Sequence, residues 1–320
     1  MTATRTATFV ITHRTTYTYD HDVVAGYNVA HLVPRSFPGQ SCLRSTVSVD
    51  PEPDDMIERG DYFGNRMTWF SLHRPHRSLE VTASSHVRRS LGACDAVGRD
   101  VEKDVEKDVG DDRETWRDSL DRLHRDPDPE NFSAREFAGE TSRAPHLPTL
   151  RDYARTSFVT GRSLMDAAGD LCGRIHSDYL YMPGATTTST PLHQVIAERQ
   201  GVCQDFVHLG IACLRSMGVP ARYVSGYLET VAPPGTEKLV GMDASHAWLA
   251  FFVPGAGWFD LDPTNNKVPD ERYITTAWGR DYEDVVPLKG VVFSKATVHA
   301  LSVAVDVVRL EETGQEPEPN

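Results

Sequence analysis

The chain has 320 residues, enough for two ordinary domains, and its 39% apolar and 25% charged residues with 23 Gly and 20 Pro exclude a collagen-like, coiled-coil or wholly disordered protein. Thirty-three Lys and Arg stand against 46 Asp and Glu, a formal net charge of −13. That balance argues against nucleic-acid binding, which needs a basic surface. The longest uncharged apolar run, residues 247–253, falls far short of the ~20 residues that span a bilayer. Residues 1–10 lead into no apolar stretch of a secretory signal, so no membrane contact and a cytoplasmic location are expected.

Residues 1–95 read as a β domain. Alternation in Ala7-Thr8-Phe9-Val10-Ile11, Thr16-Tyr17-Thr18-Tyr19 and Ser45-Thr46-Val47-Ser48-Val49, broken by turn signals at Pro38-Gly39, 51–55 and Gly64-Asn65, predicts short strands in an antiparallel β-sandwich or half-barrel. His73 and His76, either side of Pro75 and without an acidic or cysteine partner close in sequence, do not read as a metal pair. Residues 96–130 form an acidic segment, with thirteen Asp and Glu against seven Lys and Arg between 99 and 130. Its tandem Asp-Val-Glu-Lys places Val101, Val105 and Val109 four apart, a narrow stripe suited to a solvated helix or a linker. Docking of a basic partner is the functional alternative. Residues 131–290 mix helix and strand, with helices expected over 164–175 and 191–199. Residues 291–310 return to β, Leu301, Val303, Val305 and Val307 alternating with smaller or polar residues, and are expected to pack with the first domain. The acidic tail is 311–320.

Five cysteines (42, 94, 172, 203 and 213), odd in number and without a CxxC pair, suggest neither a disulfide framework nor a zinc site. One of them is placed for chemistry. Phe206, Val207, Ile211, Leu214 and Met217 follow a helical period, Gly218 stands where a left-handed C-cap belongs, and Pro220 stops the helix. Cys203 therefore opens this helix, where the macrodipole and unpaired N–H groups favour a thiolate. Cys213, in mid-helix, has no such surroundings. A thiol nucleophile needs a base and a group that orients the base. Ser245-His246-Ala247-Trp248 opens a strand-like run, residues 254–257 are turn chemistry, and Trp258-Phe259-Asp260-Leu261-Asp262-Pro263-Thr264 follows. In a hairpin centred on 255–256, residue 246 lies opposite about 265, near both Asp260 and Asp262. Spacing leaves both open, with Pro263 favouring Asp262 as a strand end. Asp205 and His208 read as a cap and a core histidine rather than as metal ligands with Cys203. No calcium-loop pattern is present, and neither metal nor cofactor is expected.

Gly201-Val202-Cys203-Gln204-Asp205-Phe206, Pro220-Ala221-Arg222-Tyr223-Val224-Ser225-Gly226-Tyr227, Ser245-His246-Ala247-Trp248 and Gly257-Trp258 with Asp262-Pro263-Thr264 resemble the bacterial transglutaminase-like superfamily. So does the later Gly279-Arg280-Asp281-Tyr282, with Pro287-Leu288 and Gly290. The β-rich first ninety residues resemble its bacterial N-terminal region, whereas the acidic repeat is unlike the usual connection. The resemblance implies an α+β fold with a papain-like core, a nucleophile helix packed on an antiparallel sheet, and a Cys203–His246–Asp262 triad. It implies acyl transfer through a thioester on peptide, isopeptide or glutamine-type amides. The Cys203 N–H is then one oxyanion donor, and Tyr181, Gln204 and Trp248 are oxyanion or substrate-pocket candidates. Hydrolysis is favoured over cross-linking to an amine. A non-catalytic interaction module is disfavoured by the three intact reactive residues, and a CoA-dependent acetyl transferase by the lack of a phosphate cradle. The loop 232–241, with two Pro and two Gly, reads as a lid beside His246 or as an inert surface loop.

Overall fold

A computed structural model describes residues 5–91, 114–230, 244–296 and 299–310. The valine repeat at 101–109, Cys94, the 232–241 loop and the acidic tail lie outside the described residues.

The alternation at 7–11 and 16–19 belongs to one strand, β1 (Arg5–Ala30). Its first half lies between β5 (His76–Leu91) and β13 (His299–Leu310), and its second half between β4 (Arg66–Leu72) and β12 (Leu288–Ser294). A register shift between Thr18 and Val23 separates the halves. β2 (Gln40–Asp50) extends the sheet beyond β5, and β3 (Asp55–Gly60) beyond β4. Of the two expected forms the first domain takes the one nearer a half-barrel, a single curled antiparallel sheet of seven strands, because β1 carries the hydrogen-bond ladder through both halves. Tyr19, Val23, Phe70, Leu72, Leu79 and Val81 cluster as its core.

The rest of the chain is helices on a four-stranded antiparallel sheet, order β10-β9-β8-β11. The strands are β8 (Ala221–Leu228), β9 (Ala244–Val253), β10 (Gly257–Leu261) and β11 (Tyr273–Gly279). Helix α1 (Trp116–Arg125) lies within the described part of the acidic segment and joins the core. Trp116 and Leu123 are buried and Leu120 packs beside them, an i, i+4, i+7 stripe that the charge count concealed. α2 (Pro129–Arg135), α3 (Pro148–Arg155), α4 (Leu164–Asp178) and α5 (Leu192–Glu198) follow.

The central helix, α6 (Cys203–Ser216), is buried from Asp205 to Arg215, wedged between α3 and α4 on one side and β8 and β9 on the other. Each fully buried Leu, Ile or Phe on it contributes about 1.5–3 kcal/mol by leaving water. Gly210 sets its height above the sheet: a Cβ there would lie 2.5 Å from a Leu249 methyl. Gly218 (φ +86°) closes the helix, its N–H donating to Arg215 O and that of Val219 to Leu214 O.

The outer edge of β11 would expose unpaired backbone groups. Two side-chain amides of the first domain supply the missing strand. Gln40 donates to Thr275 O (2.7 Å) and accepts from Thr275 N (2.9 Å), and Asn65 does the same at Trp278 (2.9 Å each). Among the described residues no helix is long and apolar enough to cross a membrane.

Candidate functional site

Cys203, His246 and Asp262 converge where the N-terminus of α6 meets the β9–β10 hairpin. Val202 is the N-cap of α6 and Cys203 its first residue. Gly201 gives Asp205 room to fold back, since a Cβ at 201 would meet its carboxylate at 2.8 Å. Asp205 then accepts from Val202 N (2.8 Å) and Thr186 Oγ1 (2.6 Å), fixing the first turn. Burial pushes its carboxyl up, against the pull of those two hydrogen bonds.

His246 lies on β9, opposite Gly226 of β8. Its Nε2 is 2.7 Å from Asp262 Oδ2, which leaves Nδ1 as the ring nitrogen for the thiol. Asp262 sits one residue beyond β10, fully buried, and five donors point at it. Oδ2 receives His246 Nε2, Asn265 Nδ2 (2.6 Å) and Tyr273 OH (2.7 Å), and Oδ1 receives the backbone N–H of Thr264 (2.8 Å) and Asn265 (3.2 Å). Burial alone would raise this carboxyl, but its donors, His246 first, hold it below the ordinary carboxylate range. Burial likewise presses the imidazole down. The Asp262 hydrogen bond and charge and the Cys203 side chain outweigh that and lift it from 6.5 to about 10.

The spacing that kept Asp260 and Asp262 level is resolved by the sheet. Asp260 pairs with Ala250 within the ladder, and its charge acts on buried Arg222, whose guanidinium burial lowers to about 9. Asp262 has left the ladder and turns back toward His246 through its bridge to Lys267.

The other sequence candidates part company. Tyr181, half exposed, is set beside α6 by the parallel pairing of β6 (Leu180–Tyr181) with β7 (Gln200–Gly201). Its phenol is pushed up by burial, then by the charges of Cys203 and Asp262, so it lies near both. Gln204 is partly exposed on the first turn of α6. Trp248 is no pocket wall: it is wholly buried, its ring centroid 6.2 Å from that of His246 and edge-on to Tyr273 at 5.2 Å. It supports the imidazole from within the core, because its period-two spacing from His246 puts both on one face of β9. Gly226 makes that packing possible, since a Cβ there would fall 2.6 Å from the Trp248 ring and 2.1 Å from Ile274 O.

His208 accepts from Tyr282 N (3.3 Å), and burial lowers it to about 3, which keeps it neutral. His73 meets Tyr27 OH (3.2 Å) and His76 meets Arg74 O (2.9 Å). Among the described residues no three His, Cys, Asp or Glu are grouped to hold a metal ion. Asn265 and Tyr273 escape the sequence reading. Asn265 follows Asp262-Pro263-Thr264 closely enough to suggest a turn, whereas Tyr273 reaches Asp262 only through the pairing of β11 with β8.

Residues 9–88 match the bacterial transglutaminase-like N-terminal region, and residues 152–263, which span Cys203, His246 and Asp262, match the transglutaminase-like superfamily. An uncharacterized protein of Mycobacterium tuberculosis is 36% identical over 94% of this chain and 92% of its own. Protein-glutamine gamma-glutamyltransferase of Pseudomonas aeruginosa is 28% identical over 142 residues, 43% of this chain and 21% of its own. The crystal structure of a candidate cysteine protease from Cytophaga hutchinsonii shares the fold, with a TM-score of 0.69 at 20% identity over 94% of this chain and 91% of that one. On its sequence relatives, its matched regions and its fold, the chain belongs to the transglutaminase-like superfamily.

Proposed function

We propose that the protein is a cysteine acyl-transfer enzyme that cleaves peptide, isopeptide or glutamine-type amide bonds, with water as the acyl acceptor. The observation that carries this reading is the fully buried Asp262, tied to His246 Nε2 at 2.7 Å while the opposite ring nitrogen is left for a thiol at the start of α6. Helix geometry leaves the N–H groups of the first turn without intrahelical acceptors, so the Cys203 N–H is available to an oxyanion.

In this mechanism the Cys203 sulfur attacks the amide carbon, a C–S bond forms, and the carbonyl π pair moves to oxygen, held by the Cys203 N–H and the Tyr181 hydroxyl. Collapse breaks the C–N bond as His246 gives its proton to the leaving nitrogen. Water then attacks the thioester, passes a proton to His246, and the C–S bond breaks to release the acid and restore the thiol. Asp262 keeps the imidazole in one orientation and stabilises its charged form. An amine in place of water gives cross-linking, and the segment similar to the Pseudomonas aeruginosa gamma-glutamyltransferase favours that as the second reading.

Limiting iodoacetamide with peptide mapping tests the nucleophile. Cys172 and Cys213, pushed up to about 12 by burial, serve as internal controls. Cys203 is expected to react first at pH 6–7 and to lose that lead in His246→Ala. Equal reactivity in both proteins would refute the reading. Ammonia release from a glutamine peptide, compared with incorporation of a fluorescent primary amine, then separates hydrolysis from cross-linking.

A further inference from the structure

The inward row of β1 continues as Ile11, His13, Thr15 and Tyr17, opposite Val307, Val305, Val303 and Leu301 of β13. At one end this row is closed: Ile11, Val305 and Val307 pack against Tyr227 of β8 and Ile274 of β11. Farther along, the sheet parts from the second domain and leaves a cavity of about 390 Å³. His13 and Val305, both 1% exposed, form its closed end, while Val303 (49%) and Leu301 (55%) remain uncovered toward its mouth. Val303 and Leu301 are apolar side chains on the inner face of a sheet that stay about half exposed, where a hydrophobic partner is the expected cover.

The wall of the cavity belongs to the elements that carry the reacting groups. Ser245, on that wall, neighbours His246 along β9 with its side chain on the opposite face, and Tyr282, also on it, donates its N–H to His208 of α6 (3.3 Å) and packs edge-on against Tyr223 with ring centroids 6.0 Å apart. The closed end is polar. His13 Nε2 meets Thr15 Oγ1 at 2.9 Å, and His13 Nδ1, buried, has no hydrogen-bond partner among the described residues.

We infer that the cleft between β1–β13 and the second domain is a specificity subsite, contributed by the N-terminal domain, that takes an apolar side chain of the amide substrate beside the bond that Cys203 attacks. This rests on the proposed function above and adds a substrate class to it: amides with an aliphatic chain flanking the reacting carbonyl. Leu301, Val303 and Val305 form one wall and His13 the closed end.

The test uses the full chain and a series of N-alkyl iodoacetamides, from iodoacetamide itself to the N-hexyl compound. Each methylene taken out of water favours binding by a factor of about four, so a chain that buries only two of them should accelerate alkylation of Cys203 about fifteenfold relative to a free thiol, and a longer buried stretch more. Val303→Ala and Leu301→Ala, at half-exposed positions that allow folding, should flatten the chain-length dependence, read as the rate of the N-hexyl compound relative to that of iodoacetamide in the same protein. Binding of unreactive N-hexylacetamide, followed at the amide resonances of Thr15, Ser245 and Val303, reads the cleft without the thiol. A flat series with no shift at those amides overturns the subsite. Slow iodoacetamide reaction that His246→Ala does not change overturns the nucleophile instead, and the N-hexylacetamide titration then decides the subsite alone.

Discussion

Replacing Asp262 by Asn probes the site most directly, because it preserves shape and changes only charge and one hydrogen-bonding group. Both carboxylate oxygens of Asp262 act purely as acceptors: three donors meet Oδ2 and two backbone N–H groups meet Oδ1. An amide must turn its NH2 toward one of these sets. Aimed at Oδ1's partners, it opposes two immovable backbone donors. Aimed at Oδ2's partners, it opposes the imidazole N–H and leaves the ring in the wrong tautomer. Breaking a buried ion pair in this way costs about 3–5 kcal/mol of stability.

The same change acts on the imidazole. Lifting His246 from 6.5 to about 10 corresponds to roughly 5 kcal/mol in favour of the charged ring, shared between Asp262 and the Cys203 sulfur. Without the carboxylate, burial dominates and the ring falls back toward or below 6.5. Asp262→Asn should therefore lose at least about 3 kcal/mol in urea denaturation, and alkylation of Cys203 at pH 6 should slow to the rate of an ordinary thiol. Wild-type alkylation at pH 6 in a folded Asp262→Asn protein would refute the assignment of Asp262 as the partner that charges His246.

Tyr273→Phe removes one donor to the same carboxylate without emptying the core, so it should cost about 2 kcal/mol and shift the pH profile of Cys203 alkylation in the same direction as Asp262→Asn, by less. Gly226→Ala drives a methyl into Ile274 O and the Trp248 ring and should destabilise by about 3 kcal/mol, read as a fall in Tm. Two buried histidines make the fold sensitive to acid. His13 and His208, lowered by burial to about 4 and about 3, refuse protons that the unfolded chain accepts near 6.5. Their contribution is complete above 6.5 and is lost as pH falls toward those values, about 2 kcal/mol each by pH 5. His208→Gln should flatten that loss between pH 7.5 and 5. Comparing it with the parent cancels the opposite contribution of His246, whose raised value stabilises below 6.5 and fades as pH rises through about 10.

The nucleophile helix is legible because its signals are local: a helical period, a left-handed glycine and a terminal proline within eighteen residues of Cys203. The hairpin was close as well. Extending the observed pairing of Leu261 with Leu249 puts 246 opposite 264, one residue from the expected partner. What the sequence conceals is set by distant pairing. Asp260 and Asp262 have similar local surroundings, and only the end of β10 separates a ladder residue from a turn residue. Tyr273 comes to Asp262 from the far edge of the sheet. Trp248 reads as core or as a pocket wall, and sheet parity, which the sequence does not fix, puts it in the core. Trp116 and Leu123 were hidden among charges because a helix needs only one apolar stripe to join a core. The curl of the first sheet depends on a single strand serving two halves, and alternation within short windows has no means of showing that two windows are one strand.

The pairing of β1 with β13 also governs the order in which this molecule can be made. Thr8 meets Leu310 and Tyr19 meets His299, so β1 waits for a strand made nearly three hundred residues after it. The second domain, contiguous from 114 to about 285, has all its strands and helices once its own stretch has emerged and can fold as a unit. The first domain cannot complete its sheet until β12 and β13 arrive, and until then β1 presents an unpaired edge on one side along most of its length. The apolar cleft has β13 as a wall, so it forms only once β13 has emerged. A nascent chain that already holds Cys203, His246 and Asp262 in place would still lack the proposed subsite.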